Sequence, residues 1–143
     1  MKKTTEKILN EIQQTDNISR YIQENSNIMQ TVSLVEFLNQ VLKKYNKLRK
    51  DVIHESGLCI TYGYQMFDGK KNPKRDKIIQ LAFGFPMTVD ELQQALRSGN
   101  TSELYPRNKR DALIIYALSR KMSVEKCNEL LEENREEPFE MFC

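Results

Sequence analysis

Residues 48–73, LRKDVIHESGLCITYGYQMFDGKKNP, decide how this chain folds. Val52, Ile53 and Ser56 fall at helical spacing, and Gly57-Leu58-Cys59 then breaks the pattern. Tyr62, Met66 and Phe67 resume it, and Gly69 ends it. The spacing predicts two short helices, about Arg49–Ser56 and Ile60–Phe67, joined by a tight turn. A glycine in that turn lets two helices cross steeply without a side-chain clash. One helix is then free to lie in a groove while the other braces across it. Basic residues crowd both ends, with Arg49 and Lys50 before the turn and Lys70, Lys71 and Lys74 after it.

Helical periodicity continues outward in both directions, and no strand-like alternation appears. Lys3 to Gln14 carries Ile8, Leu9 and Ile12 on one side, and Asn17 to Asn25 carries Ile18, Tyr21 and Ile22. Ser33-Leu34-Val35-Glu36 is a capping-box pattern opening a helix that faces Leu38 and Val41 inward. Lys74 to Phe85 and Val89 to Arg97 follow, the second behind another box, Thr88 to Glu91. RSGNTSELYP, residues 97–106, reads as a linker. The expectation is an all-α chain in three parts: an N-terminal helical extension over 1–30, a central domain over 31–98, and a helical hairpin with tail over 104–143. The core should include Leu38, Val41, Val52, Met66, Ile78, Leu81, Ala82, Leu92, Leu113, Ile114 and Ala117.

An internal repeat links the last two parts. Residues 75–96 align with 110–131 at a constant offset of 35, and seven of the twenty-two positions are identical. Arg75/Arg110, Asp76/Asp111, Met87/Met122 and Leu96/Leu131 are among them. The shared unit is a buried helix, a short turn and a capped helix, so two stacked hairpins are expected. Leu113, Ile114, Tyr116, Ala117 and Leu118 are too apolar for a lone hairpin, which should therefore pack on the central domain.

Composition excludes several classes. Charged residues make up 29% and mean hydropathy is −0.63, and no apolar run approaches the length of a membrane helix. MKKTTEKILNEIQQ has no apolar stretch or cleavage site, so it is no signal peptide and a cytoplasmic location is expected. Cys59, Cys127 and Cys143 are an odd, widely spaced set that reads neither as a disulfide framework nor as a metal site. Cys59 is expected as a small turn residue and Cys127 as a core residue. His54 is the only histidine and is expected on the surface. No phosphate loop, dinucleotide fingerprint or catalytic constellation is present, so neither an enzyme nor a cofactor is expected. Net charge is only +2, yet it is uneven. Residues 41–77 carry +6 and residues 122–143 carry −5, which points the motif toward a polyanion.

The motif resembles the phage-repressor-like (XRE family) helix-turn-helix, of a subgroup from low-GC Gram-positive bacteria. Gly57-Leu58-Cys59 matches the family turn, Met66-Phe67-Asp68-Gly69 the end of its second helix, and Lys70-Lys71-Asn72-Pro73 its basic loop. Tyr62-Gly63-Tyr64-Gln65, Arg75-Asp76-Lys77 and Leu104-Tyr105-Pro106 are recurring features of the subgroup. The resemblance implies a phage-repressor-like helix-turn-helix bundle with extra N-terminal helices and a C-terminal helical hairpin. It also implies a sequence-specific transcriptional regulator of double-stranded DNA. Ile60, Thr61, Tyr64 and Gln65 would then face the groove. Arg49 and Lys50 would stand at the start of the first helix, and Lys70, Lys71 and Lys74 would face phosphates. Regulators of this kind pair on two half-sites, so a homodimer is an accompanying expectation. Its candidate faces are the N-terminal helices and the tail from Pro138 to Phe142. The Tyr-Gly-Tyr surface supports an alternative from another class, a protein-interaction adaptor on a retained helix-turn-helix fold, because tyrosine is favoured at interfaces.

Overall fold

The computed structural model describes residues 4–25 and 32–142. Among these residues it contains only helices, and the chain divides into two compact units at Val32/Ser33. The first unit holds α1 (Thr5–Gln14) and α2 (Ile18–Glu24). The side chains of Thr4 and Asn17 accept the third amide of each helix, which satisfies one open donor per helix start. Tyr21 Oη donates to Glu11 at 3.3 Å, whereas Leu9, Ile18 and Ile22 are exposed.

The second unit begins with α3 (Leu34–Tyr45), α4 (Arg49–Ser56) and α5 (Ile60–Asp68). It continues with α6 (Arg75–Gly84), α7 (Val89–Ser98), α8 (Lys109–Ser119) and α9 (Val124–Glu133). The two helices of the motif lie where their spacing predicts, the second one residue longer. Gly57 has φ +74, a backbone state that costs glycine nothing and side-chain-bearing residues about 1 kcal/mol or more. Gly63 serves a different need. A Cβ there would lie 2.6 Å from Ile53 Cγ2, so the bare helix face admits Ile53 of α4, and the missing side chain is replaced by its neighbour's.

Leu38, Val52, Ile53, Met66, Phe67, Ile78, Leu81 and Leu92 form the centre of the core, each 1% exposed or less. Of the predicted core set only Leu113 is not fully buried. Thr88 and Glu91 complete the reciprocal capping box at α7, and Ser33 Oγ accepts the Glu36 amide at α3. His54 is exposed and Cys127 is a buried free thiol. Cys59 departs from expectation: it is disulfide-bonded. Its half-buried position at the turn leaves the sulfur within reach of a bond that residue spacing did not suggest.

The repeat is structural, and it runs further than the sequence alignment. Arg75 donates to both oxygens of Asp111, at 3.1 and 2.7 Å. Arg110 donates to both oxygens of Asp76, at 2.9 and 3.1 Å. The exchange is reciprocal, as across a local two-fold. Each arginine also donates its Nε to a backbone carbonyl at 2.9 Å, Ser102 for one and Glu137 for the other, again 35 residues apart. Gln93 clamps both backbone groups of Leu104, and Asn128 clamps both of Phe139. Asn100 and Arg135 share the left-handed backbone state. The segment expected as a linker is therefore anchored midway, at buried Leu104. Its counterpart, the tail, docks within the same chain through buried Phe139 against Phe83 and Arg110.

Glu91 ties α7 to α3. Its carboxylate accepts from Lys44 at 2.8 Å, from Tyr45 Oη at 2.5 Å and from the Thr88 amide at 2.9 Å. Burial alone would raise its pKa, but these donors and the lysine charge hold it at about 2. Burial, joined by the Glu91 hydrogen bond and charge, pushes the Tyr45 hydroxyl up to about 12. A carboxyl that titrates lower in the folded chain stabilises it fully above the unfolded pKa and progressively less as pH falls. Stability is thus expected to decline as pH drops from about 4.5 to 2. Glu91→Gln should make that decline shallower in acid unfolding followed by circular dichroism. Superimposable pH profiles would contradict this assignment.

Candidate nucleic-acid interface

The outward strip of α5 is built by helical spacing and by the exposed start of the helix, where Ile60 stands on the Phe67 side but ahead of the core. Met66, Phe67 and Gly63 face the core, so positions 61 and 65, a turn apart on the opposite side, face away, with 64 at the flank. Ile60 is 63% exposed, Tyr64 37%, and Thr61 is exposed. Gln65, one turn beyond Thr61, is half-buried. Leu48, the residue before α4, is 61% exposed and was not singled out by the sequence pattern. No periodicity marks it, because it lies outside the helix.

Arg49 does not project freely. It donates to Asp68 Oδ1 at 2.9 Å and to Asn39 Oδ1 at 3.2 Å, and its guanidinium lies 5.6 Å from the Phe67 ring centroid. It fastens the start of α4 to the end of α5 and to α3. Asn39 and Asp68 were invisible as partners because neither stands at a helical interval from Arg49.

Other basic residues of the stretch are likewise committed. Lys44 pairs with Glu91, Lys47 with Glu55, Arg75 with Asp111 and Lys77 with Glu140. Among the described residues of this stretch, Lys43, Lys50, Lys70, Lys71 and Lys74 are exposed and form no ion pair. Lys70 and Lys71 lie just past the C-terminus of α5, Lys74 is the residue before α6, and Lys50 is in the first turn of α4. Lys71 also stands 5.8 Å from the centre of the half-buried Tyr62 ring, as does Lys77. The arrangement is an apolar and hydroxyl-bearing strip on one helix with uncompensated ammonium groups of Lys70 and Lys71 just past its C-terminal end. No helix among the described residues is long and apolar enough to cross a membrane.

No protein-family model, no curated protein and no solved structure matches the chain.

Proposed function

We propose that this chain is a sequence-specific double-stranded DNA-binding transcriptional regulator of the phage-repressor-like helix-turn-helix kind, with α5 as the recognition helix. One observation carries the reading. The lysines that a phosphate-binding role requires, Lys50, Lys70, Lys71 and Lys74, are exposed and without an acidic partner, as is Lys43 on α3, whereas Lys44, Lys47, Arg49, Arg75 and Lys77 each pair with a carboxylate. Uncompensated cations release counterions from a polyanion, whereas paired ones bring their own. Thr61 and Gln65 supply hydrogen bonds for base edges, and glutamine suits adenine. Tyr64 and Ile60 supply apolar contact for a thymine methyl.

The two kinds of contact predict separable losses. Thr61→Ala or Gln65→Ala should weaken a selected site by roughly 1–3 kcal/mol and barely alter random-sequence binding. Lys71→Ala should weaken both alike and reduce the salt slope by about one unit. Fluorescence anisotropy on a selected duplex and a random one separates the patterns. If all three variants act alike on both duplexes, the assignment of roles fails.

Exposed Leu48, Ile60 and Tyr64 favour a second reading, an adaptor whose α5 strip docks a protein. Tyrosine and aliphatic side chains without phosphate contacts suit such an interface. Under it, Tyr64→Ala should abolish capture of a protein partner while DNA binding is absent from the start.

A further inference from the structure

Two side chains at the junction of α4 and α5 suit a G·C base pair, and they hold each other. Guanine is read at O6 and N7 by the forked donors of arginine or by lysine, and cytosine at N4 by a carboxylate. Asp68 is the one charged residue of α5. Its Oδ1 accepts from one arm of the Arg49 guanidinium at 2.9 Å. The other arm donates to Asn39 Oδ1 at 3.2 Å, so the fork that would grip guanine is closed. The exposed lysines near the motif stand off the body of α5. Lys50 is on α4, Lys70 and Lys71 follow the C-terminus of α5, and Lys74 precedes α6.

What α5 presents to solvent is uncharged. Ile60 holds a branched aliphatic side chain in water at the start of the helix, and Tyr64 exposes part of its ring at the flank. Exposed Thr61 carries a hydroxyl that serves any base and a methyl that suits thymine. Gln65 carries the donor and acceptor that match adenine N7 and N6. At 1.5 Å of rise per residue, Ile60 and Thr61 stand about 6 Å along the axis from Tyr64 and Gln65, roughly two base-pair steps. Resting on the DNA-binding reading proposed above, we infer that the Arg49–Asp68 pair withdraws the G·C readers, and that α5 selects a core of about three A·T pairs through the C5-methyl groups of thymine.

The methyl group, rather than the base that bears it, is then the determinant. It is the apolar point that a thymine offers in the major groove, and Ile60 and Tyr64 gain affinity only against such a point. Uracil pairs as thymine does and lacks the methyl. 5-Methylcytosine carries the methyl on a G·C pair. Burying one such carbon contributes about 0.8 kcal/mol, which is about fourfold in affinity. Binding therefore responds to cytosine methylation wherever a cytosine enters the core.

The test uses the full chain and duplexes that it selects from a randomised double-stranded pool, with affinities read by fluorescence anisotropy at one salt concentration. Selected duplexes should share a run of A·T pairs. Uracil in place of a contacted thymine should weaken binding about fourfold. A G·C pair at that position should also bind more weakly, and 5-methylcytosine in it should restore about fourfold. Ile60→Ala and Tyr64→Ala should each reduce the uracil effect at one thymine to less than about twofold, as a double-mutant cycle requires of a direct contact. Both side chains are on the surface, so the variants should fold. A selected core of G·C pairs, or a uracil effect below about twofold at every thymine while binding stays salt-dependent, would overturn the methyl reading and leave the regulator standing. Absence of salt-dependent binding to every duplex would overturn the regulator reading, and this inference with it.

Discussion

Asp111→Ala is expected to lower stability by about 3 kcal/mol, the scale of a buried ion pair broken from one side. The carboxylate is 8% exposed and holds three donors: two nitrogens of Arg75 and the amide of Tyr105. Removing it leaves a guanidinium that is 25% exposed without its counter-charge, and a buried-side amide without its acceptor. Asp76→Ala is the internal control. It occupies the same position in the first repeat and meets Arg110 with the same two-toothed geometry, yet its carboxylate is 46% exposed. Water reaches this carboxylate, and although its partner Arg110 is itself only 17% exposed, the loss should be smaller than that of Asp111, at about 1–2 kcal/mol. Urea unfolding of both variants measures the difference. Equal losses would mean that burial does not set the strength of this reciprocal clasp.

Gly84→Ala is expected to be similarly damaging, at about 3 kcal/mol, the upper end for overpacking. A Cβ on Gly84 would overlap the carbonyl oxygen of Val52. That obstacle is backbone, which cannot rotate aside as a side chain can, so α4 and α6 would have to move apart. The repeat again supplies the contrast. Ser119, the equivalent residue of α8, is exposed, and Ser119→Ala should stay within about 0.5 kcal/mol of the parent. Thermal unfolding of the two alanine variants separates a close helix crossing from mere helix-propensity change. Propensity alone would make Gly84→Ala stabilising, so a raised midpoint would refute the crossing.

The all-helical character, the two motif helices and most of the core were legible because each depends on local spacing. Leu38, Val52, Ile78 and Ala117 face inward for the reason that neighbours three and four positions away do. The repeat was legible as far as Leu131, where identities end. It continues to Phe139 through Gln93 and Asn128, which perform one task, clamping a backbone amide and carbonyl, with side chains of different length. Their shared amide chemistry at an offset of 35 was the signal available in the sequence. Arg49 shows where such reading stops. Its position beside a basic cluster suggested an open contact, but Asp68 lies nineteen residues on, and only the crossing of α4 with α5 brings the two together. Cys59 is the same case on a larger scale. Nothing local to the Gly-Leu-Cys turn indicates that its sulfur is disulfide-bonded.

The proposed regulator is tested most directly by a salt series. Binding of the full chain to a duplex from the region upstream of its own gene should weaken steeply from 50 to 200 mM salt. The slope of log affinity against log salt should correspond to about four phosphate contacts, matching Lys50, Lys70, Lys71 and Lys74. A random-sequence duplex should show a similar slope at lower affinity. No salt-dependent binding to either duplex would contradict the DNA-binding account and leave the exposed strip of Leu48, Ile60 and Tyr64 as a protein-docking face.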